Sequence, residues 1–227
     1  MGDVNSRAFS CLRCSKCCFF SDRKECPIVL PHEARYIALL AEHMGIPEPR
    51  FERLPAGFYV WIVSGYCPFY DEASKACRIH GEKPLACRMF PLLVNPSTLE
   101  LSVSSACEWI RRNIDELADL GESVEKVFPS EFSAVKELVT VLYKSAEGGL
   151  VSLMLLGDNV KEVFRELASK CTIIKFIESN VVEGLHLMLL SDCSEDYVKS
   201  VLHDPGKEVS ISHIGKVQVP AKPAEEG

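Results

Sequence analysis

The amino-acid sequence predicts an α+β fold in two parts, a small cysteine-rich domain of short helices and hairpins followed by a βαββαβ domain. The chain has 227 residues, which is enough for two small domains because one hydrophobic core usually holds roughly 100 to 200 residues. Nine of the eleven cysteines precede Arg112. The formal charge is +2 through Arg112 and −9 after it. Both distributions predict a domain boundary near residue 112.

Four segments follow from this boundary. We predict a cysteine-cluster domain at residues 1–112, connecting helices at 113–147, an α/β domain at 148–219 and a disordered tail at 220–227. The composition, with 47% hydrophobic and 25% charged residues, is typical of a folded globular protein. No apolar run approaches the roughly 18 residues of a membrane helix, and the N-terminus lacks the apolar stretch of a signal peptide. We therefore expect a cytoplasmic protein with no membrane partner.

The first cysteines form a tight run in which Cys11, Cys14 and the pair Cys17-Cys18 are spaced C-x2-C-x2-C-C. Structural cysteines act as small buried hydrophobes and are usually scattered, which this run is not. In a reducing cytosol clustered cysteines are seldom disulfides, whereas a C-x2-C turn brings two thiolates to one ion with little strain. The run therefore predicts a metal site, and a disulfide scaffold is the minor alternative.

A second set of cysteines follows at Cys67, Cys77, Cys87 and Cys107. Aromatic and β-branched content predicts a strand at 57–63, turn residues predict a reversal at 71–75, and a hairpin is predicted from 91–94 and 99–103. These loops are expected to gather the thiolates. Between the two sets, an apolar helical pattern with Pro at its start and Gly after its end predicts a structural helix at 31–44.

The motifs of both sets resemble a known family. The first run, then Cys67-Pro68-Phe69, Cys77-Arg78-Ile79-His80 and Lys83-Pro84-x2-Cys87-Arg88-Met89-Phe90-Pro91, is similar to the CxxCxxCC family of zinc- or iron-chelating cysteine-cluster proteins, the YkgJ type. The resemblance covers about the first 110 residues. It implies a small domain with about eight cysteines at a metal centre. Flagellin lysine methylases are larger relatives with a similar block.

This sequence also departs from the family pattern. His80 and Lys83 stand where the family usually has Tyr and Arg, and Cys26 is an addition to the common set. The expected ligands are the remaining cysteines of the block: Cys11, Cys14, Cys17, Cys18, Cys67, Cys77, Cys87 and Cys107.

The nuclearity and the metal each have alternatives. Nine cysteines can make two four-cysteine sites with one spare, or one site with several non-ligands. The tight three-cysteine run and nearby aromatic residues favour an iron-sulfur cluster, of the 4Fe–4S type, over zinc. Structural zinc is the alternative because it tolerates many spacings. Basic residues close in sequence are expected to offset the thiolate charge: Arg13, Lys16, Arg23, Lys24, Arg78 and Arg88.

The second half shows alternating strand and helix patterns after a connecting helical region at 123–145. The predicted elements are a strand at 150–156, a helix at 159–170, strands at 172–178 and 184–191, a helix at 195–203 and a strand at 208–219. This order is that of a ferredoxin-like split βαβ domain, a topology that does not itself imply a cluster. Asp158 and Ser194 are expected to cap the two helices, and Cys171 and Cys193 are expected to be buried thiols.

Three functional classes remain. The first is an iron-sulfur protein in electron transfer, or as an oxidoreductase component, whose acidic C-terminal domain binds a protein partner. The second is a zinc-stabilised interaction module without catalysis. The third is a lysine methylase-like enzyme, which only the larger relatives suggest, so whether the protein is an enzyme stays open. The acidic second half lacks a basic patch with interleaved aromatics, which argues against a nucleic-acid partner.

Overall fold

A computed structural model of the chain describes residues 8–54, 57–95, 98–119, 124–146, 149–157, 160–202 and 209–213. The fold is α+β, with helices and small antiparallel sheets. The chain divides into two compact units. The first consists of Met1–Pro27 and Ile62–Val139, and the second of Ile28–Trp61 and Thr140–Gly227. The boundaries expected at residues 112, 147 and 219 stay a prediction.

Short strands and helices alternate through the described part of residues 16–146. In chain order they are β1 (Phe19–Phe20), β2 (Ile28–Val29), α1 (Pro31–His43), β3 (Arg50–Arg53), β4 (Tyr59–Ile62), β5 (Gly65–Tyr66), β6 (Tyr70–Asp71), β7 (Ala76–Cys77), α2 (Leu85–Met89), β8 (Leu92–Val94), β9 (Leu101–Val103), α3 (Glu108–Asp119), α4 (Val124–Val127) and α5 (Pro129–Ala146), with 3₁₀ turns at Lys16–Cys18 and Arg23–Glu25.

The strands of the first unit pair antiparallel in twos: β1 with β5, β6 with β7, and β8 with β9. The turn predicted at 71–75 is the connection between β6 and β7, where Tyr70 lies opposite Cys77. The predicted hairpin is also confirmed, since Leu92 of β8 lies opposite Val103 of β9. Pro96 and Ser97 of its turn lie outside the described residues. Turn chemistry therefore sets the course of the chain around the cysteines.

An aromatic cluster fixes the beginning of the first unit. The ring of Phe9 lies 5.3 Å from that of Trp109 and 5.5 Å from that of Phe128. The Phe9 amide also donates a 2.7 Å hydrogen bond to the Val127 carbonyl. Edge-to-face aromatic contacts of this kind stabilise beyond the area that they bury. The segment leading to the first cysteines is thereby held against α3 and α4.

The second unit contains α1, which confirms the helix predicted at 31–44. Pro31 occupies the first helical position, where its missing amide costs nothing. The Leu30 amide donates a 2.9 Å hydrogen bond to the Glu33 carboxylate, which satisfies a free helix N-terminal donor. Gly45 follows the helix with φ of 64°, a left-handed conformation that glycine adopts without strain. The buried face of the helix includes Tyr36, Ile37, Leu40 and Ala41.

The C-terminal part of the second unit is a four-stranded sheet with two helices. Its elements are β10 (Val151–Leu156), α6 (Val160–Ala168), β11 (Thr172–Glu178), β12 (Leu185–Ser191), α7 (Glu195–Val201) and β13 (Val209–His213). The strand order is β11-β12-β10-β13, and all neighbours are antiparallel. The Ser194 hydroxyl accepts a hydrogen bond from the Tyr197 amide at 3.2 Å, which confirms the predicted cap of α7. Asp158 and the part of the predicted last strand beyond His213 lie outside the described residues.

One face of this sheet forms a hydrophobic core with α6 and α7. Leu153 and Met188 from adjacent strands, Leu167 of α6 and Val198 of α7 are each fully buried in it. The run Val151–Leu156 places alternate residues on the two faces of β10, and five of its six residues are buried. None of the described helices is both long and apolar enough to cross a membrane.

Replacing Leu167 with Ala should lower the free energy of unfolding by about 2 to 5 kcal/mol, because the missing methyls leave a cavity in this core. Leu156→Ala is the matched control, since the Leu156 side chain on β10 is 51% exposed, and it should have a small effect. Urea unfolding followed by circular dichroism measures both. Equal losses for the two variants would contradict the core assignment.

Candidate metal centre

The first cysteine run turns back on itself within a few residues. Arg13 and Ser15 have φ of 50° and 62°, a left-handed conformation that few residues other than glycine adopt. A 3₁₀ turn follows, in which the Cys18 amide donates to the Ser15 carbonyl at 2.8 Å. The Cys17 and Cys18 sulfur atoms lie 3.8 Å apart. Adjacent cysteines therefore present both thiols to the same region.

Two long-range contacts bring this run to the later cysteines. The Cys67 amide donates a 2.7 Å hydrogen bond to the Cys18 carbonyl, continuing the β1–β5 ladder. Lys16 forms a 3.1 Å ion pair with Glu108, the residue after Cys107. The C-terminal end of the run is thus connected both to β5 and to the start of α3.

Backbone amides are directed at three of the cysteine sulfurs. The amides of Phe69 and Tyr70 donate to Cys67, and the amide of Ile79 donates to Cys77. The amides of Trp109 and Ile110, in the first turn of α3, donate to Cys107. Each of these bonds lowers the pKa of its thiol because it stabilises the thiolate. The chain following each cysteine is therefore folded to favour the ligand form.

Burial raises the pKa of these thiols, and this effect is larger than that of the amide hydrogen bonds. Desolvation raises the pKa of Cys67 to about 11 and also raises the pKa of Cys77, Cys87 and Cys107. The pKa of Cys17 is raised first by its hydrogen bond with Cys18 and then by burial. Without a cation these thiols therefore remain protonated at neutral pH.

Mutual charge effects define which cysteines share one region. Cys17 interacts with Cys18, Cys67, Cys77, Cys87 and Cys107, and Cys107 also interacts with Cys14. We call these residues the seven-cysteine group: Cys14, Cys17, Cys18, Cys67, Cys77, Cys87 and Cys107. Cys11, the eighth expected ligand, is exposed, as is Cys14.

Cys26 has a different environment. Its thiol donates to the Val63 carbonyl at 3.3 Å and accepts from the Val63 amide at 3.5 Å. The side chain is 6% exposed. Two backbone hydrogen bonds satisfy a buried thiol without any metal, so the geometry favours a structural role for Cys26.

One cation that acts on several thiols of the group was not among the six predicted. Lys83 lowers the pKa of Cys17, Cys77 and Cys87 by its positive charge. Of the six, Arg78 lowers the pKa of Cys77 and also donates to the Pro68 carbonyl at 2.7 Å. The sequence contained a signal for Lys83, since it lies four residues before Cys87 at a position where the family usually has another cation.

Arg88, next to Cys87, forms a 2.6 Å ion pair with Glu137 of α5. The two side chains are only 31% and 18% exposed. This pair attaches α2, which carries Cys87, to α5. Sequence patterns could not reveal it, because 49 residues separate the partners and each is an ordinary charged residue of a helix.

The donor set fits a soft metal. Cysteine thiolates are preferred ligands of zinc and of iron in clusters, and amide donors to the sulfurs are a common part of the surroundings of such sites. In the described part of the chain, no three His, Cys, Asp or Glu side chains are spaced to hold an ion. The fit therefore rests on the chemistry of the donors and on their shared location.

A family model matches this part of the chain. Residues 10–111 match the CxxCxxCC family. Its description is "Putative zinc- or iron-chelating domain", which confirms the resemblance expected from the motifs and supports metal binding by this region. The matched segment contains all eight expected ligands and Cys26.

A similar protein is known from Methanocaldococcus jannaschii, the uncharacterized protein MJ0661. It is 28% identical over 107 residues, which is 44% of this chain and 54% of the relative. The chain thus spans about half the length of that relative. No solved structure matches the chain.

We predict that metal affinity increases with pH across the neutral range. Each ligand thiol must lose its proton to bind, so the association constant should rise about tenfold per pH unit for each proton released below the thiol pKa. Competition with a chromophoric chelator between pH 6 and pH 9 measures this slope. An affinity independent of pH would show that buried thiols are not the ligands.

The stability of the metal-free protein, in contrast to the metal affinity, should decrease as the pH rises. Because the folded-state pKa of Cys67 is raised to about 11 from an ordinary 9.0, its protonated form stabilises the fold fully below pH 9, and this contribution is lost as pH rises through 11. Thermal unfolding of the metal-free protein at increasing pH provides this control.

Replacing Glu137 with Gln should reduce stability by about 1 to 2 kcal/mol, because it leaves the partly buried Arg88 without its charged partner. Lys136→Gln is the matched control. Lys136 pairs with Glu125 at a site where both side chains are 58% exposed, and such pairs contribute little. Chemical unfolding of the metal-loaded proteins compares the variants, and equal effects would argue against a structural role for the Arg88–Glu137 pair.

Proposed function

We propose that the cysteine-cluster region holds an iron-sulfur cluster, or a related cysteine-ligated iron centre, and serves in electron transfer or as an oxidoreductase component. The proposed ligands come from the eight expected cysteines: Cys11, Cys14, Cys17, Cys18, Cys67, Cys77, Cys87 and Cys107. The observation that carries the proposal is the position of Cys17, whose thiol interacts with those of five other cysteines. A single structural zinc takes four ligands, so this concentration of thiols favours a polynuclear centre.

The surroundings of the thiols support the same proposal. Amide hydrogen bonds to Cys67, Cys77 and Cys107 would lower the electron density on the sulfurs. Hydrogen bonds to the sulfurs and local charge are two of the ways by which proteins set the potential of an iron-sulfur cluster. The positive charge of Lys83 would act in the same direction, because it stabilises a reduced, more negative cluster.

A zinc-stabilised interaction module is the second candidate. The strand pairs around the cysteines, β1–β5 and β6–β7, contain two residues per strand. Such short ladders supply little cooperative stability by themselves. A closed zinc site could supply the missing folding energy without any redox chemistry.

The C-terminal sheet is proposed to be a ferredoxin-like domain. Its strand order, with β10 and β12 central and β11 and β13 at the edges, agrees with a split βαβ arrangement. The formal charge of −9 after Arg112 supports a protein partner with a basic surface, since complementary charge accelerates and orients docking. The fold itself does not identify that partner.

Metal analysis of anaerobically purified protein tests the proposal. Iron with a matching amount of acid-labile sulfide, and a visible charge-transfer absorption that dithionite bleaches reversibly, is expected for a redox-active cluster. Zinc alone in a colourless protein would reject it and favour the interaction module. Sub-stoichiometric metal of either kind calls for reconstitution before the comparison is made.

Cysteine variants connect the metal to the proposed ligands. Cys87→Ser should lose most of the bound metal, because the half-buried thiol lies among three other thiols of the group. Cys26→Ser is the matched control and should retain the wild-type metal content, since its thiol is bonded to Val63. Loss of metal from both variants would show that Cys26 acts on the centre and that the proposed ligand set is wrong.

A further inference from the structure

Two cysteines outside the metal centre lie next to each other in the second unit. Cys171 ends the turn after α6 and is 8% exposed, as expected of a buried thiol. Cys193 follows β12 and is partly exposed, so the expectation that it is buried was wrong. Cys171 belongs to the hydrophobic core of the C-terminal sheet, and Cys193 packs against that core. The Cys171 thiol is also within hydrogen-bonding reach of the Cys193 thiol.

The sheet register explains this proximity. Thr172 and Ser191 are the first facing pair of the β11–β12 ladder, so the chain positions immediately beyond them are Cys171 on one strand and residue 192 on the other. Facing residues of antiparallel strands have Cα atoms about 4.5 to 5.5 Å apart. Disulfides join Cα atoms about 4.4 to 6.8 Å apart. A cysteine one position further along is therefore close enough to reach Cys171 if the chain turns inward.

Asp192 supplies that turn. Its φ of 61° is left-handed, a conformation in which Asp is tolerated better than most residues. The carboxylate is held by Lys144, with Nζ 3.1 and 3.4 Å from its two oxygens, and by the Ser191 hydroxyl at 2.9 Å. The side chain of Thr172 also bonds to it. This network anchors the reversal that places Cys193 beside Cys171.

We propose that Cys171 and Cys193 form a dithiol–disulfide site that hydrogen peroxide or a related peroxide oxidises. The Cys193 thiol, which solvent reaches more readily, loses its proton and its sulfur attacks the peroxide; an S–O bond forms, the O–O bond breaks, and the hydroxide that leaves takes up a proton as water. The Cys171 thiol then loses its proton and its sulfur attacks the sulfenic acid on Cys193; the S–S bond forms, the S–O bond breaks, and the second hydroxide leaves as water with that proton. Two thiols and one peroxide thus give one disulfide and two waters.

The product would be a covalent link between the end of β12 and the start of β11. It closes the segment from Cys171 to Cys193, which contains both strands of the β11–β12 hairpin. Closing such a loop restricts the unfolded chain, so the unfolding midpoint of the second unit should rise by roughly 10 °C. Reduction by a dithiol should reverse the change.

Peptide mapping of the full-length protein tests the proposal. The protein is treated with graded hydrogen peroxide, blocked with N-ethylmaleimide and digested with trypsin. Cleavage after Lys170, Lys175 and Lys199 yields the peptides 171–175 and 176–199, and the disulfide is expected as these two peptides linked, with two hydrogens lost. Dithiothreitol added before blocking should abolish the linked species.

Variants separate this site from oxidation elsewhere. Cys193→Ser should eliminate the linked peptides and leave Cys171 fully blocked by maleimide, whereas Cys26→Ser, which removes a different buried cysteine, should give the wild-type yield. Asp192→Ala should reduce the yield at a fixed peroxide dose about threefold or more, since it loses both the Lys144 contact and a residue suited to φ above zero.

Two results would overturn the proposal. One is that maleimide labels both Cys171 and Cys193, which shows that their thiols are still free, at peroxide doses that oxidise the seven-cysteine group. The other is Cys193 linked to a different cysteine or converted to its sulfonic acid while Cys171 stays free. Cys193 is partly exposed, so Cys193→Ser removes little packing and the variant is expected to fold.

Discussion

The folding of the first unit depends on how the negative charge of its crowded cysteine thiolates is balanced. Burial and mutual repulsion keep the cysteines around Cys17 protonated, whereas amide hydrogen bonds and Lys83 favour the thiolates. One ammonium group cannot balance several thiolates, because their repulsion grows with each proton lost. A multivalent cation resolves this conflict, so occupancy by metal and completion of the fold are expected to be linked.

Local features of this region followed from the sequence because each has a nearby signal. The C-x2-C spacing, the turn at 71–75 and the β8–β9 hairpin depend on residues within about ten positions of one another, where spacing and turn chemistry are informative. The pairing of Arg88 with Glu137 and the central place of Lys83 depend on tertiary packing. The sequence around a charged residue does not identify its distant partner in the folded chain, so these contacts could not be predicted.

The same limit applies to the wider organisation of the chain. The helix Pro31–His43 was readable from its apolar stripe, its first proline and its terminal glycine. That Ile28–Trp61 groups with the C-terminal segment, although it lies between the two cysteine sets, has no counterpart in periodicity or composition. Cysteine density and charge marked a boundary along the sequence, and spatial grouping does not have to follow sequence order. Grouping in space therefore depends on long-range packing, which composition and periodicity along the chain do not report.

Cys26 shows how a cysteine count can mislead. Its sulfur makes two backbone hydrogen bonds to Val63, a role that a serine hydroxyl could fill with shorter contacts. We therefore expect related chains to exchange Cys26 for other small residues more freely than the cysteines around Cys17, which share one centre in the proposal above. Comparing which cysteines vary independently among related chains would thus separate scaffold from ligands without any metal being measured.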